Sequence, residues 1–132
     1  CLFLGHVGNP KLAEIYDIVL RANLAAIAKV KPGVKACEID KAARDVITEA
    51  GYGELFLHRT GHGLGLSVHE EPNISSDNQL VLEEGMTFTI EPGIYIEGVG
   101  GVRIEDDILV TKDGCHIFTT TSKKMEDHIL KY

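Results

Sequence analysis

Apolar residues fall at two different spacings along this chain, and the change from one to the other divides it into a helical front and a strand-rich back. From Pro10 onward, Leu12, Ile15, Tyr16, Val19, Leu20, Ile27 and Val30 recur at helical spacing. Asn9 ahead of Pro10 has the form of an N-cap followed by proline at the first helical position, so a helix is predicted over Pro10–Val30. Lys31-Pro32-Gly33 ends it, since proline cannot continue the hydrogen-bond ladder and glycine supplies the turn. A second helix is predicted over Ala36–Ala50, with Ile39, Ala43, Val46, Ile47 and Ala50 as its buried stripe and Gly51 as its stop. The two make a hairpin pair that must cover something apolar.

The back of the chain supplies it. Met86, Phe88 and Ile90 alternate with Thr87, Thr89 and Glu91, which sets Glu91 on the face opposite the apolar trio. The longest strand pattern is Val102–Val110: Val102, Ile104, Ile108 and Val110 share one face, Arg103, Glu105 and Asp107 the other. Asp106 then enters the apolar face, where an unpaired charge is costly, so it is read as a structural residue partnered by backbone amides or by the neighbourhood of Arg103. Asp113-Gly114 marks a tight hairpin into Cys115–Phe118. The opening tetrapeptide Cys1–Leu4 reads as a short strand, and Met125, Ile129 and Leu130 suggest a short helix in the tail Ser122–Tyr132.

A length of 132 residues with 44% hydrophobic residues suits one domain with a core. The net charge of -7 argues against nucleic-acid or anionic-membrane partners, which select clustered Lys and Arg. Cys1, Cys37 and Cys115 are too few and too scattered for a disulfide framework, and no apolar run reaches the ~18 residues of a membrane span. No charged-then-apolar leader opens the chain, so a soluble, cytoplasmic protein with reduced thiols is expected.

Candidate chemistry concentrates in three pieces: HRTGHGLGLSVHEEP over His58–Pro72, TIEPG over Thr89–Gly93 and RIEDD over Arg103–Asp107. Imidazoles together with carboxylates suit Mn, Fe, Co or Zn, whereas an all-oxygen set would suggest Mg or Ca. Isolated histidines are more often structural, and His6, His116 and His128 are read that way. His62 differs, because its flanking glycines allow backbone to approach a bound species. On the residues alone, Glu91 also fits an ordinary strand-end carboxylate, and Glu105 the exposed face of an antiparallel strand.

In order and spacing, the three pieces resemble the catalytic domain of the pita-bread metallopeptidases: methionine aminopeptidase, aminopeptidase P, prolidase and the related creatinase. The resemblance implies an α+β fold, a helix pair packed on a curved, mostly antiparallel sheet. It implies two adjacent divalent ions, Mn or Co with Zn or Fe as alternatives, with His62 and Glu91 on one ion and Glu105 bridging both. Glu91 would shuttle a proton from the attacking water to the leaving nitrogen, and His69 would donate a hydrogen bond to the oxyanion. His58, His69 and Arg103 would line the substrate end, Arg103 either holding a carboxylate or bracing the metal-binding acids.

The R-x-E-D form of Arg103–Asp106 is shared by prolidase, aminopeptidase P and creatinase, so the expected reaction is hydrolysis of Xaa-Pro bonds by an Xaa-Pro dipeptidase. Aminopeptidase P or methionine aminopeptidase activity on longer peptides is the alternative, and a homodimer is expected of the full-length protein. The family's D-x-G and D-x-T-R segments, which carry two further aspartate ligands, have no counterpart here. Residues 1–132 are therefore expected to be the later part of a catalytic domain, inactive alone. Some pita-bread domains act instead as metal-free modules binding peptide, histone or RNA, against which retention of His62, His69, Glu91 and Glu105 speaks; creatinase works without metal, and retention of both Glu91 and Glu105 speaks against that chemistry.

Overall fold

The computed structural model describes residues 3, 4 and 6–130, Phe3 and Leu4 through their backbone. Helix α1 spans Pro10–Lys29 and α2 spans Ala36–Glu49, each within a residue of its predicted end. Asn9 caps α1, its Oδ1 accepting from the Lys11 amide at 2.9 Å. Gly51, at φ +86°, follows α2 in the left-handed conformation that suits glycine. Ile15, Ile18, Val19, Ala22 and Ala26 of α1 are buried, as are Ala36, Ile39, Ala43 and Ile47 of α2. The helices pack on each other, and α1 also lies against several of the strands.

Short strands follow: β1 (Phe3–Leu4), β2 (Gly61–Gly63), β3 (Glu70–Ile74), β4 (Thr87–Ile90), β5 (Gly93–Ile96), β6 (Gly100–Arg103), β7 (Asp106–Thr111), β8 (Gly114–Ile117) and β9 (Ile129–Leu130). Five of them form an antiparallel sheet in the order β3-β2-β4-β7-β8, while β5 pairs with β6. Phe88, Ile90, Ile108 and Val110 turn one face of this sheet into the shared core.

The strand predicted over Val102–Val110 is interrupted, because β6 stops at Arg103 and β7 begins at Asp106. The cause lies on the opposing strand. Glu91-Pro92 faces the gap, and proline has no N–H to donate to the ladder. The register survives the break: Ile90 pairs with Asp106 before it and Gly93 with Arg103 after it. The alternation of faces therefore holds, with Val102, Ile104, Asp106, Ile108 and Val110 buried.

Asp106 finds partners other than those expected. Its Oδ2 accepts from Asn23 Nδ2 at 2.8 Å and pairs with Lys123 Nζ at 2.7 Å. The predicted tail helix is a single 3-10 turn, Met125–His128, followed by β9, which runs parallel to β1. One turn carries the nucleation cost of a helix without the run of bonds that offsets it, and pairing with β1 offers the backbone another partner. Of the predicted opening strand and tail, Cys1, Leu2, Lys131 and Tyr132 lie outside the described residues.

Candidate active site

Helix α2 fixes the approach to the site. Arg44 grips the buried Asp40 with Nε at 2.9 Å and Nη2 at 3.0 Å, and reaches the carbonyls of Phe56 at 3.1 Å and His58 at 3.0 Å. Its guanidinium lies 4.2 Å from the centre of the Phe56 ring. Asp40 Oδ1 in turn accepts from the Thr60 amide at 3.2 Å and hydroxyl at 2.8 Å. Thr60 then passes the constraint on, its carbonyl accepting from the Glu91 amide at 2.7 Å.

Between Thr60 and Leu64 the chain threads a narrow space. A Cβ on Gly61 would collide with the carbonyl oxygen of Thr89, and one on Gly63 with that of Glu71. His62 is the one side chain that β2 presents. Its amide donates to Thr89 Oγ1 at 3.1 Å, and its Nδ1 lies 3.0 Å from the Gly63 carbonyl. A carbonyl only accepts, so Nδ1 carries the proton. That leaves the Nε2 electron pair 3.2 Å from Glu91 Oε1. The Thr89 hydroxyl donates to the same Oε1 at 2.9 Å, tying imidazole and carboxylate to one residue.

The remaining groups gather around this pair. His69 meets the His62 ring edge-on at 4.5 Å between centroids, and Arg103 Nη1 is 3.7 Å from Glu91 Oε2. His58 Nδ1 lies 2.7 Å from the Arg59 carbonyl, so it too carries the proton, and Nε2 accepts from the Tyr95 hydroxyl at 2.8 Å. His58, His62, His69, Glu91 and Arg103 share the wall of an open cavity of about 650 Å³, together with Arg59, Asn73 and Ser75.

Glu105 lines an adjoining cavity of about 420 Å³, with Arg103 common to both walls. Withdrawal from water and then the charge of Glu91 push its carboxyl above the usual range, while Arg103 and His62 pull the other way, so it shares the field of the pair. Burial raises the Tyr95 phenol, opposed by the charge of the nearby Arg103. Thr89, Tyr95 and the Asp40–Arg44 pair escaped the sequence reading. The alternation that placed Glu91 also places Thr89 beside it, and the i, i+4 spacing of Asp40 and Arg44 was legible.

Among the described residues, no three His, Cys, Asp or Glu side chains close on a common point as a ready-made metal cluster. The donor chemistry of the pair nevertheless fits a cation. Two electron pairs facing each other at 3.2 Å need a proton or a metal ion between them. An imidazole whose other nitrogen donates to a backbone carbonyl has the usual outer hydrogen bond of a metal-ligating histidine.

Residues 2–112 match the model of metallopeptidase family M24. The chain is 59% identical over 121 residues to the Xaa-Pro dipeptidase of Lactobacillus helveticus, a match covering 90% of this chain and 33% of that protein. It superposes on the prolidase of Pyrococcus horikoshii OT3 with a TM-score of 0.88 and 53% identity, covering 90% of this chain and 34% of that one. For the X-Pro aminopeptidase of Thermotoga maritima the TM-score is 0.91 at 42% identity, with 99% and 36% covered. The chain thus spans about a third of the length of the curated relatives it matches. These likenesses confirm the α+β pita-bread architecture expected from the three motifs, and with it a family whose members use divalent metal ions. The match over residues 2–112 settles the lineage: this chain belongs to metallopeptidase family M24.

Proposed function

We propose that the protein containing this chain hydrolyses Xaa-Pro peptide bonds as a proline-specific dipeptidase. One observation carries the reading: His62 Nε2 and Glu91 Oε1 face each other at 3.2 Å on the wall of an open cavity. His62, Glu91 and Glu105 are this chain's donors toward two divalent ions, Mn or Co, with Zn or Fe as alternatives. A dinuclear site needs further carboxylates, and we assign these to two aspartates elsewhere in the protein, since relatives three times as long have room for them. Residues 1–132 then form the later part of a catalytic domain and are inactive alone.

Bound divalent ions supply Lewis acidity at the peptide carbonyl and lower the pKa of a water to near neutrality. The chain's own groups do the rest. Glu91, anchored through its amide to Thr60 and through Oε1 to Thr89, takes a proton from the attacking water and returns it to the leaving nitrogen. His69, packed edge-on against His62, donates to the developing oxyanion. His58, its tautomer set by the Arg59 carbonyl and Tyr95, lines the substrate end. Arg103 leans on Glu91 and Tyr95, which supports its bracing role over direct capture of substrate.

The partner is a peptide with proline after the scissile bond. A cytoplasmic homodimer without nucleic-acid or membrane partners belongs to this proposal; the charge of -7 disfavours polyanionic partners, and among the described residues no helix is long and apolar enough to cross a membrane. Likeness to an X-Pro aminopeptidase keeps longer substrates as the second reading. The test is an assay of the full-length protein, stripped with chelator and reloaded with Mn or Co, on Xaa-Pro dipeptides, Xaa-Pro tripeptides and methionyl peptides. Metal-dependent cleavage of the dipeptides, reduced at least ~100-fold in His62→Ala, is expected. Cleavage of methionyl peptides alone, or of nothing, would sink the proposal.

A further inference from the structure

An ion pair on helix α2 grips the backbone that leads into the site. Asp40 is fully buried and both its oxygens are engaged: Oδ2 accepts from Arg44 Nε, and Oδ1 from Arg44 Nη2 and from the amide and hydroxyl of Thr60. Arg44 donates in addition to the carbonyls of Phe56 and His58. Alternate residues of the segment 56–60 are thus fastened to two side chains of one helix, much as a neighbouring strand would fasten them.

The fastened segment touches the site at two places. Thr60 accepts from the Glu91 amide at 2.7 Å, so the depth at which Thr60 sits sets the depth of Glu91. The Phe56 ring, 4.2 Å from the Arg44 guanidinium, meets the His58 ring edge-on at 5.1 Å, which supports the imidazole from behind. A buried ion pair is a weak device for stability, since withdrawing both charges from water offsets most of their attraction. It is a strong device for placement, because the planar fork of arginine fixes direction as well as distance. Lys41 and Asp45 have the same i, i+4 spacing on α2, but their pair lies exposed.

We infer that Asp40 and Arg44 are positioning residues of the reaction: they set the reach of Glu91 through Thr60 and hold His58 at the substrate end. The assignment rests on the hydrolase reading above. Its signature is a loss in kcat, because a carboxylate carried off line slows proton transfer while the peptide still enters the cavity.

The experiment compares full-length protein with R44K, T60V, T60S and K41Q, measuring hydrolysis of glycyl-proline and amide hydrogen exchange resolved to short peptides. R44K keeps a charge beside Asp40 and loses the fork. Arg44 also lines two cavities outside the catalytic one, of about 380 and 240 Å³, so water can enter where the shorter side chain withdraws. R44K should lower kcat ~10–100-fold and T60V ~3–10-fold, each with KM within about threefold of native, while T60S recovers most of the T60V loss and K41Q matches native protein. Exchange should quicken over residues 56–60 and at Glu91, and stay native over α1 and the β7–β8 hairpin. Native kcat and native exchange in R44K overturn the assignment. A rise in KM at unchanged kcat overturns it as well, by making the pair part of substrate binding, and so does faster exchange throughout the core, by making it a stabiliser of the whole fold. If R44K does not fold, T60V against T60S decides on the same readouts, and equal kcat in those two and in native protein overturns the relay. If native protein cleaves no Xaa-Pro substrate, the hydrolase reading fails, while the exchange pattern still decides whether Asp40 and Arg44 place Glu91.

Discussion

Glu91 and Glu105 stand directly across from one another, at the point where the β4–β5 and β6–β7 strands stop pairing but keep their register. Like charges opposed on neighbouring strands destabilise a sheet by ~0.2–1 kcal/mol, and on the proposed reading a cation held by the two carboxylates would offset that. Glu105→Gln should therefore stabilise metal-free protein by a few tenths to about 1 kcal/mol in urea denaturation with chelator present. The same change should weaken Mn or Co binding at least ~10-fold in a titration. Destabilisation of the metal-free form would contradict the opposition.

Thr89 joins His62 and Glu91 through a single hydroxyl, accepting from one and donating to the other. Thr89→Val keeps the shape and removes both bonds. We expect metal affinity or peptidase activity of the full-length protein to fall ~10–100-fold, with Thr89→Ser restoring most of it. Equal losses in Val and Ser variants would point to packing instead.

The buried Asp106 carboxylate depends on Lys123 for its countercharge. Lys123→Ala leaves a charge in the core with Asn23 as its remaining donor, and should cost ~3 kcal/mol in urea denaturation, against little for Lys124→Ala. Comparable effects in the two variants would refute the pairing.

Burial raises the Cys115 thiol above its ordinary pKa. The neutral form is the one the fold accommodates, so its contribution to stability is present below the unfolded pKa and is lost as pH rises through the folded one. Alkylation of Cys115 in native protein should stay slow at pH 8 and accelerate only at more alkaline pH, whereas urea-unfolded protein reacts readily at pH 8. Equal rates in the two states, read by mass spectrometry, would show the thiol to be unprotected.

What the sequence made legible follows from how far each cause reaches along the chain. Asn9-Pro10 and Gly51 punctuate helices locally, and both helix ends came out nearly as written. Alternation over Val102–Val110 correctly sorted Asp106 from Glu105, because a period of two survives even where the ladder is interrupted. The interruption itself was hidden, since it is imposed by Pro92 on the facing strand. The partners of Asp106 were hidden for the same reason: Asn23 sits in the first helix and Lys123 beyond the last hairpin. His58, His62, His69, Glu91 and Arg103 line one cavity, while Glu105, expected with His62 and Glu91, lines the adjoining one. Thr89 and Tyr95 went unnoticed because a hydroxyl announces no chemistry until its neighbours are known.

The bare backbone on either side of His62 limits how this site can be probed. Any methyl group at Gly61 or Gly63 would wedge β2 away from the Thr89 or Glu71 carbonyl. An inert alanine variant at either position would thus report a pried-open sheet, with the imidazole carried off its mark, and would say nothing about which atom handles a proton. Dissection of the reaction has to proceed from the side chains on the far bank, Glu91 and Thr89, where a functional group can be exchanged without moving the rail on which His62 rides.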